Sequence, residues 1–337
     1  VSNLIGITTT IPQEVLLAAG LQPVDLNNLF VSDPNPERLI DIAERAGFPQ
    51  NCCAWIKGIY GVALERGMET VLCVTTGDCS NTLMLMEVFK LRGLHVIPFA
   101  FPERPDPHRM KQQLEALSVE VGTSLAKAEE WRQKLAEARC LAHEMDRFTW
   151  QQGVVSGGEN HFWLVSSSDF NRDYRWYEQE LGHLLSEVRQ RKPYPGDMLR
   201  LAYIGVPPIF AQDFYSYLER LGARVVFNEI QRQFAMPVPG NSLAEQYSNY
   251  TYPYSIFDRL ADIIIELECR RVDGVIHYVQ AFCHRGIGDI IFRQHIARPM
   301  LILEGNADFL LTQHLRTRIE AFLDMLRRSQ RLLSRIN

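Results

Sequence analysis

The hydrophobic and polar positions of this chain fall into two rhythms that alternate along its length. Thr70 to Thr75 (TVLCVT) is short, apolar and β-branched, the signature of a buried strand. Asn81 to Arg92 then reads as a helix and His95 to Phe99 as a second strand. Strand, loop, helix and strand at this spacing predict a βαβ unit and therefore a parallel sheet. Upstream, Leu4 to Ile7 is a short apolar piece, and Pro12 opens a helix over Glu14 to Ala19 that Gly20 stops. Leu21 to Leu26 predicts a strand, Asp33 to Pro36 a turn, Glu37 to Gly47 an amphipathic helix, and Trp55 to Glu65 another.

A different pattern follows the proline-rich break at 102–107. From Met110 through Leu114, Leu117, Val121, Leu125, Ala128, Trp131, Leu135, Ala138, Leu141 and Met145 to Phe148, apolar residues recur in steps of three and four. This predicts one long amphipathic helix, or two with a break near Gly122, whose apolar face is a packing or dimer surface. Val154 to Glu159, with Gly157-Gly158, reads as a loop, and Tyr174 to Gln190 as a helix. Pro193-Tyr194-Pro195-Gly196 is the clearest linker.

Beyond it the α/β rhythm returns. Strands are predicted at Leu199 to Val206, Arg224 to Glu229, Gly274 to Tyr278 and Pro299 to Leu303, and helices at Ala211 to Leu221, Tyr254 to Cys269, Ile287 to His295 and Leu315 to Ile336. Residues 231–252, rich in Pro, Tyr and Asn, read as a long loop over the site side. The expected organisation is α/β: an N-terminal domain over 1–104, a helical connecting region over 105–195 and a C-terminal domain over 196–337.

Composition narrows the function classes. A length of 337 residues, 46% hydrophobic and 22% charged, suits a soluble chain that buries a full core. The net charge of −5, without a basic block, argues against nucleic acid. No run of apolar residues is long enough for a membrane span, and the N-terminal stretch lacks the pattern of a secretory signal. Seven cysteines, an odd number, fit a reduced cytoplasm better than a disulfide framework. There is no P-loop, no GxGxxG after a strand, no HExxH and no GxSxG, so nucleotide hydrolysis, nicotinamide chemistry, zinc proteolysis and serine hydrolysis lack their signatures.

The chemistry that remains is in the thiols. Cys79, in the loop TGDCSN, and Cys283, in FCHRGIGD, each follow the carboxyl end of a predicted strand, one in each half. Ligands of open parallel sheets bind at those ends. If the sheets face each other, both thiols enter one cleft, and the Cys52-Cys53 turn before a helix can add a third ligand. Cys73 lies inside a strand and Cys140 in the helical region, so both read as packing residues. Three or four soft thiolates suit zinc or an iron–sulfur cluster. The compact CxxC pairs usual for structural zinc do not occur. His284 is a candidate ligand or proton donor, and Lys57 a candidate counter-charge for a cluster or an anionic substrate. Asp78 is either an acid/base group or a turn residue held for its loop hydrogen bonds.

Several stretches carry a resemblance: IPQEVLLAAGLQPV (11–24), CAWIKGIYG (53–61), TGDCSNT (76–82), RLAYIGVPP (200–208), GARVVFNE (222–229), FCHRGIGD (282–289), PMLILEGNAD (299–308) and TRIEAFLDML (317–326). They resemble the 2-hydroxyacyl-CoA dehydratase family, which includes dehydratase D-type subunits, benzoyl-CoA reductase subunits and double-cubane cluster reductases. The resemblance implies two flavodoxin-like parallel-sheet domains with an iron–sulfur site at their interface, most simply a [4Fe-4S] cluster held by Cys53, Cys79 and Cys283. It also implies an ATP-hydrolysing iron–sulfur activator protein, a homodimer or a heterodimer with a related subunit, and an acyl-CoA substrate that loses water through a ketyl radical. The Cys-Cys pair departs from the family pattern. Cys52 is then a spare thiol, a fourth ligand that closes the cluster, or a ligand of a double-cubane cluster, which would also need Cys73 or Cys269. Two other activities remain open on these residues: an ATP-dependent reductase of small molecules with a double cubane, and a non-catalytic electron-transfer or scaffold subunit with a closed cluster.

Overall fold

A computed structural model describes residues 3–307 and 309–336. Two parallel sheets form. In the first, β1 (Leu4–Ile7), β2 (Gln22–Asp25), β3 (Thr70–Thr76) and β4 (His95–Ala100) lie in the order β2-β1-β3-β4. In the second, β5 (Leu199–Gly205), β6 (Ala223–Asn228), β7 (Gly274–Gln280) and β8 (Met300–Gly305) lie in the order β6-β5-β7-β8. The two orders are the same permutation, so each half is a flavodoxin-like unit. In each, the order reverses beside the first strand, and the crevice at that reversal opens at the strands' carboxyl ends.

The sequence explains the layers. Val71, Cys73 and Val24 face the helices Glu37–Arg45 and Ala54–Glu65, while Ile5, Ile7, Leu72 and Val74 face the opposite side. Both faces are buried, which is why these strands read as continuous apolar runs instead of alternating ones. The two helices cross closely at Gly61, where a Cβ would lie 2.1 Å from the carbonyl oxygen of Leu39. In the second half, the helices Ala211–Arg220 and Gln313–Ile336 cover one face and Ile256–Cys269 the other.

The expected amphipathic helix is broken twice, into Pro107–Glu120, Leu125–Lys134 and Ala136–Arg147, ending in a π-helical turn at Phe148–Gln152. The first break is at Gly122, which takes φ +75°, and Ser124 caps the helix that follows. The apolar face is satisfied within the chain: Met110, Leu114 and Leu117 pack on the first sheet, and Ala138, Ala142 and Met145 on the helix Tyr174–Val188.

Three segments differ from the reading of the sequence. A helix, Leu26–Val31, follows β2, started by Asp25, whose carboxylate accepts from the Asn27 amide at 2.9 Å. Gly157-Gly158 opens the helix Gly157–Ser166 in place of a loop. Ser156 and Glu159 form a capping box there, and the glycines serve contact: a Cβ on Gly157 would meet Tyr215 at 2.9 Å. Residues 231–252 are not a long loop either, since they contain most of the helix Glu229–Phe234 and all of Leu243–Ser248. This segment crosses back to the first sheet, where Phe234, Leu243 and Tyr247 join its core. Tyr247 donates to Glu14 at 2.8 Å, and Glu14 is also ion-paired with Arg139, so three regions of the chain meet at one buried carboxylate. The stretch ending PMLILEGNAD reaches Asp308, which lies outside the described residues. No described helix is long and apolar enough to cross a membrane.

Candidate active site

The carboxyl ends of both sheets enclose one cavity of about 110 Å3. Thr8, Thr9 and Thr10 follow β1, Asp25 ends β2, Asp78 and Cys79 follow β3, Val206 and Pro207 follow β5, and Cys283, His284 and Arg285 follow β7. Cys53 reaches it from the start of the helix Ala54–Glu65. The crevices of the two sheets therefore open onto a common space, and the three thiols singled out by position line it together.

Burial is the main cause that raises the Cys53 thiol to about 11 and the Cys79 thiol to about 12, with the charge of Asp78 adding to it at Cys79 and the neighbouring thiols adding less at both. Opposing this, the amides of Ile56 and Trp55 stabilise a Cys53 thiolate, and the amide of Asn81 a Cys79 thiolate. Each of these cysteines sits at a helix start: Cys53 caps Ala54–Glu65, Cys79 lies two residues before Asn81–Leu91, and Cys283 caps the short turn His284–Gly288. Helix N-termini favour negative charge. Without a cation the Cys53 and Cys79 thiols stay protonated at neutral pH; with one, the amides beside them are already directed at the anion.

Among the described residues, no three His, Cys, Asp or Glu side chains are close enough to hold a single metal ion. That spacing disfavours a mononuclear zinc site, whose ligands converge on one ion at about 2.0–2.3 Å. It is compatible with a polynuclear cluster, in which each thiolate takes a different iron. The donor set, three soft thiols around one enclosed space, fits an iron–sulfur cluster.

The other expected residues are distributed unevenly. Cys52 is half-buried and does not line the cavity. Cys73 is fully buried inside β3, and Cys140 and Cys269 are exposed on helices away from the site. Lys57 is neither solvated nor in the cavity: it is 4% exposed, pairs with Glu44 at 2.7 Å and donates to the Gln50 carbonyl at 3.2 Å. His284 lines the cavity rim, with its pKa lowered by burial and by Arg285. Asp78 accepts from Tyr252 at 2.9 Å, and burial raises its pKa against the pull of Arg285.

Four residues that the sequence did not single out complete the site. Arg285 donates to the carbonyls of Gly77 and Asp78 at 3.3 Å and stacks over Tyr252 at 4.6 Å. It pins the loop of Cys79 to the loop of Cys283 and places a permanent cation beside both. Its pKa is raised: burial opposes its charge, but Tyr252, Asp78 and the two thiols outweigh that. His161 is held neutral, with its pKa lowered to about 4 by burial, and its Nδ1 accepts from Gln231 at 3.1 Å. Asp25 accepts from Ser168 at 2.6 Å and from Asn27, yet burial still raises its pKa. Behind it, Asp169 accepts from the Asp25 amide at 2.9 Å. The rule that ligands meet strand ends would have found Asp25 and Thr8–Thr10; Arg285 follows Cys-His in the same quoted motif.

Burial, and then the charge of Asp25, push Asp169 from 3.8 up to about 7, with Arg172 pulling weakly the other way. Between those values the folded chain binds more protons than the unfolded one, so stability falls as pH rises through that window. Asp169→Asn should remove up to about 1.4 kcal/mol per pH unit of that slope. Thermal melts of both proteins from pH 5 to 8 check this, and parallel profiles would contradict it.

A sequence model of the family described as 2-hydroxyglutaryl-CoA dehydratase, D-component, matches residues 8–326. No curated protein matches the chain.

Proposed function

The chain belongs to the 2-hydroxyglutaryl-CoA dehydratase D-component family, and from that premise we propose that it is the iron–sulfur subunit of a 2-hydroxyacyl-CoA dehydratase-type system. The observation that carries the proposal is the convergence of Cys53, Cys79 and Cys283 on one cavity at the carboxyl ends of both sheets. These three residues would hold a [4Fe-4S] cluster, with Cys52 outside the cavity and one iron left without a cysteine ligand. When bound, such a group supplies one-electron chemistry at low potential and a Lewis-acidic iron. In this reading an ATP-hydrolysing activator delivers the electron, and the acyl-CoA loses water as a ketyl radical anion. The subunit works as a dimer with itself or with a related chain.

The chain's own residues meet the needs of that reaction. Ile56, Ile59, Val206, Ile230 and Phe234 make the cavity wall apolar, which keeps water from a reactive radical. Arg285 offsets negative charge between two of the thiols. Asp25, whose burial favours its protonated form, is placed to hold or release a proton inside the cavity. His161 is neutral and offers Nε2 as a hydrogen-bond donor.

The reductase reading needs more than four ligating cysteines. Among the described residues only three line the cavity, with Cys73 inside a strand and Cys269 on a surface helix, so this chain alone does not supply them. The closed-cluster reading needs a fourth thiol, and Cys52 does not line the cavity. Electron paramagnetic resonance of reduced, oxygen-free protein separates the readings. A 2-hydroxyacyl-CoA should change the spectrum and be dehydrated when activator and ATP are supplied. An unchanged spectrum and no turnover would move the assignment to an electron-transfer subunit.

A further inference from the structure

At the opposite ends of β5 and β6 from the thiols lies a second cavity of about 180 Å3. Its walls include Trp150 and Gln151 of the π-helical turn, Tyr194 of the linker, and Arg200 and Arg224 at the starts of the two strands. Arg200 and Gly205 bound most of β5, so roughly 15–20 Å separates this cavity from the first at about 3.3 Å per residue.

Among the described residues the two arginines have no carboxylate in direct contact, although Asp273 and Glu219 act on them from a distance. Arg224 is 4% exposed; its Nη2 donates to the carbonyls of Thr149 and Val155, while Nε has no partner among the described residues. Arg200 donates Nε to the Arg270 carbonyl and Nη2 to the Trp150 carbonyl, both at 2.8 Å. Neither guanidinium forms an ion pair among the described residues: Asp273 takes the backbone amide of Arg200, and Glu219 is bonded to Tyr194 and to the Gly157 amide. The Arg224 guanidinium stacks on Tyr194 at 4.8 Å, and Gly153 keeps it there, because a Cβ at that position would lie 2.6 Å from Nη1. Burial, reinforced by Arg200, pushes Arg224 down to about 10 and outweighs the pull of Tyr194 and Glu219.

Burying a guanidinium without a direct ion pair is costly, and an oxyanion is the ligand that arginine forks match. A π-helical turn is a frequent companion of ligand sites. We propose that this cavity binds a phosphate dianion, either free or as a phosphomonoester, bridging Arg200 and Arg224. Two adjacent cations favour a doubly charged group over a monocarboxylate. The site joins the π-helical turn, the linker and the second sheet, so its occupant braces the helical region against the C-terminal domain.

Thermal melts of the full chain, purified without oxygen, test this with inorganic phosphate, AMP and chloride at matched ionic strength. Phosphate, AMP or both should raise the melting temperature saturably over chloride; a response to one alone identifies the free or the esterified source. Gln151→Glu places a carboxylate on an exposed residue of the rim. It should raise the melting temperature in chloride and weaken the apparent phosphate affinity at least tenfold, as should Arg200→Met. A response equal to that of chloride, or one retained in both variants, would overturn the proposal.

Discussion

Arg270→Met is expected to lower the unfolding free energy by about 3–5 kcal/mol. Arg270 is 2% exposed and joins the helical region to the second domain. Its Nη1 and Nη2 donate to the two oxygens of Asp146 at 2.8 and 2.5 Å, Nη1 also donates to the Val226 carbonyl, and Nε donates to Glu266 at 2.6 Å. Its guanidinium also packs over Phe227 at 4.8 Å. Methionine keeps much of the aliphatic volume but strands a buried carboxylate, and that uncompensated charge accounts for most of the cost. In the parent, Arg270 outweighs burial and holds Asp146 below the usual carboxylate range. In the variant the pKa of Asp146 rises, so the deficit should be greatest near neutral pH and shrink as acid protonates the carboxyl. Urea unfolding at pH 5 and pH 7.5 measures both effects. Adding Asp146→Leu should restore much of the loss, because no stranded charge then remains. A change below about 1 kcal/mol would place the pair among the weakly coupled surface bridges.

The fold was legible wherever local pattern and burial agree. The centres of TVLCVT and LRLAYIG are continuous apolar runs because both faces of these strands are covered, and the turn residues beside them mark their ends. The break at Gly122 was legible because the left-handed conformation there suits glycine. Residues 231–252 misled because their helices are only six residues each and are held by contacts with a distant sheet. Ser242 and Glu245 carried the only local sign of a helix start in that segment, with Ser242 accepting from the Glu245 amide. Gly157-Gly158 misled because glycine there answers the closeness of Tyr215, which no local pattern records.

The site divides in the same way. Cys79 and Cys283 were found by their place after strands, a consequence of topology that the sequence states twice. Cys53 adjoins a helix start that is also visible in the sequence. Lys57 was singled out by proximity along the chain, but it lies past the first turn of its helix and extends to Glu44, away from the cavity. Asp25, at the end of β2, and Arg285, two residues after Cys283, were within reach of the same strand-end rule, whereas His161 lies on a helix that only the tertiary fold brings to the cavity, and nothing in its own neighbourhood announces it.

Cys283 caps a short turn and contributes little to the core, since it is only partly buried, so Cys283→Ala should fold. If Cys53, Cys79 and Cys283 share one cluster, losing one of three cysteine ligands removes it. The decisive measurement is iron and acid-labile sulfide per chain, on parent and Cys283→Ala protein prepared without oxygen. About four of each are expected in the parent, the content of one [4Fe-4S] cluster, and their loss is expected in the variant. No iron in oxygen-free parent protein, or an iron content unchanged by the substitution, would contradict it.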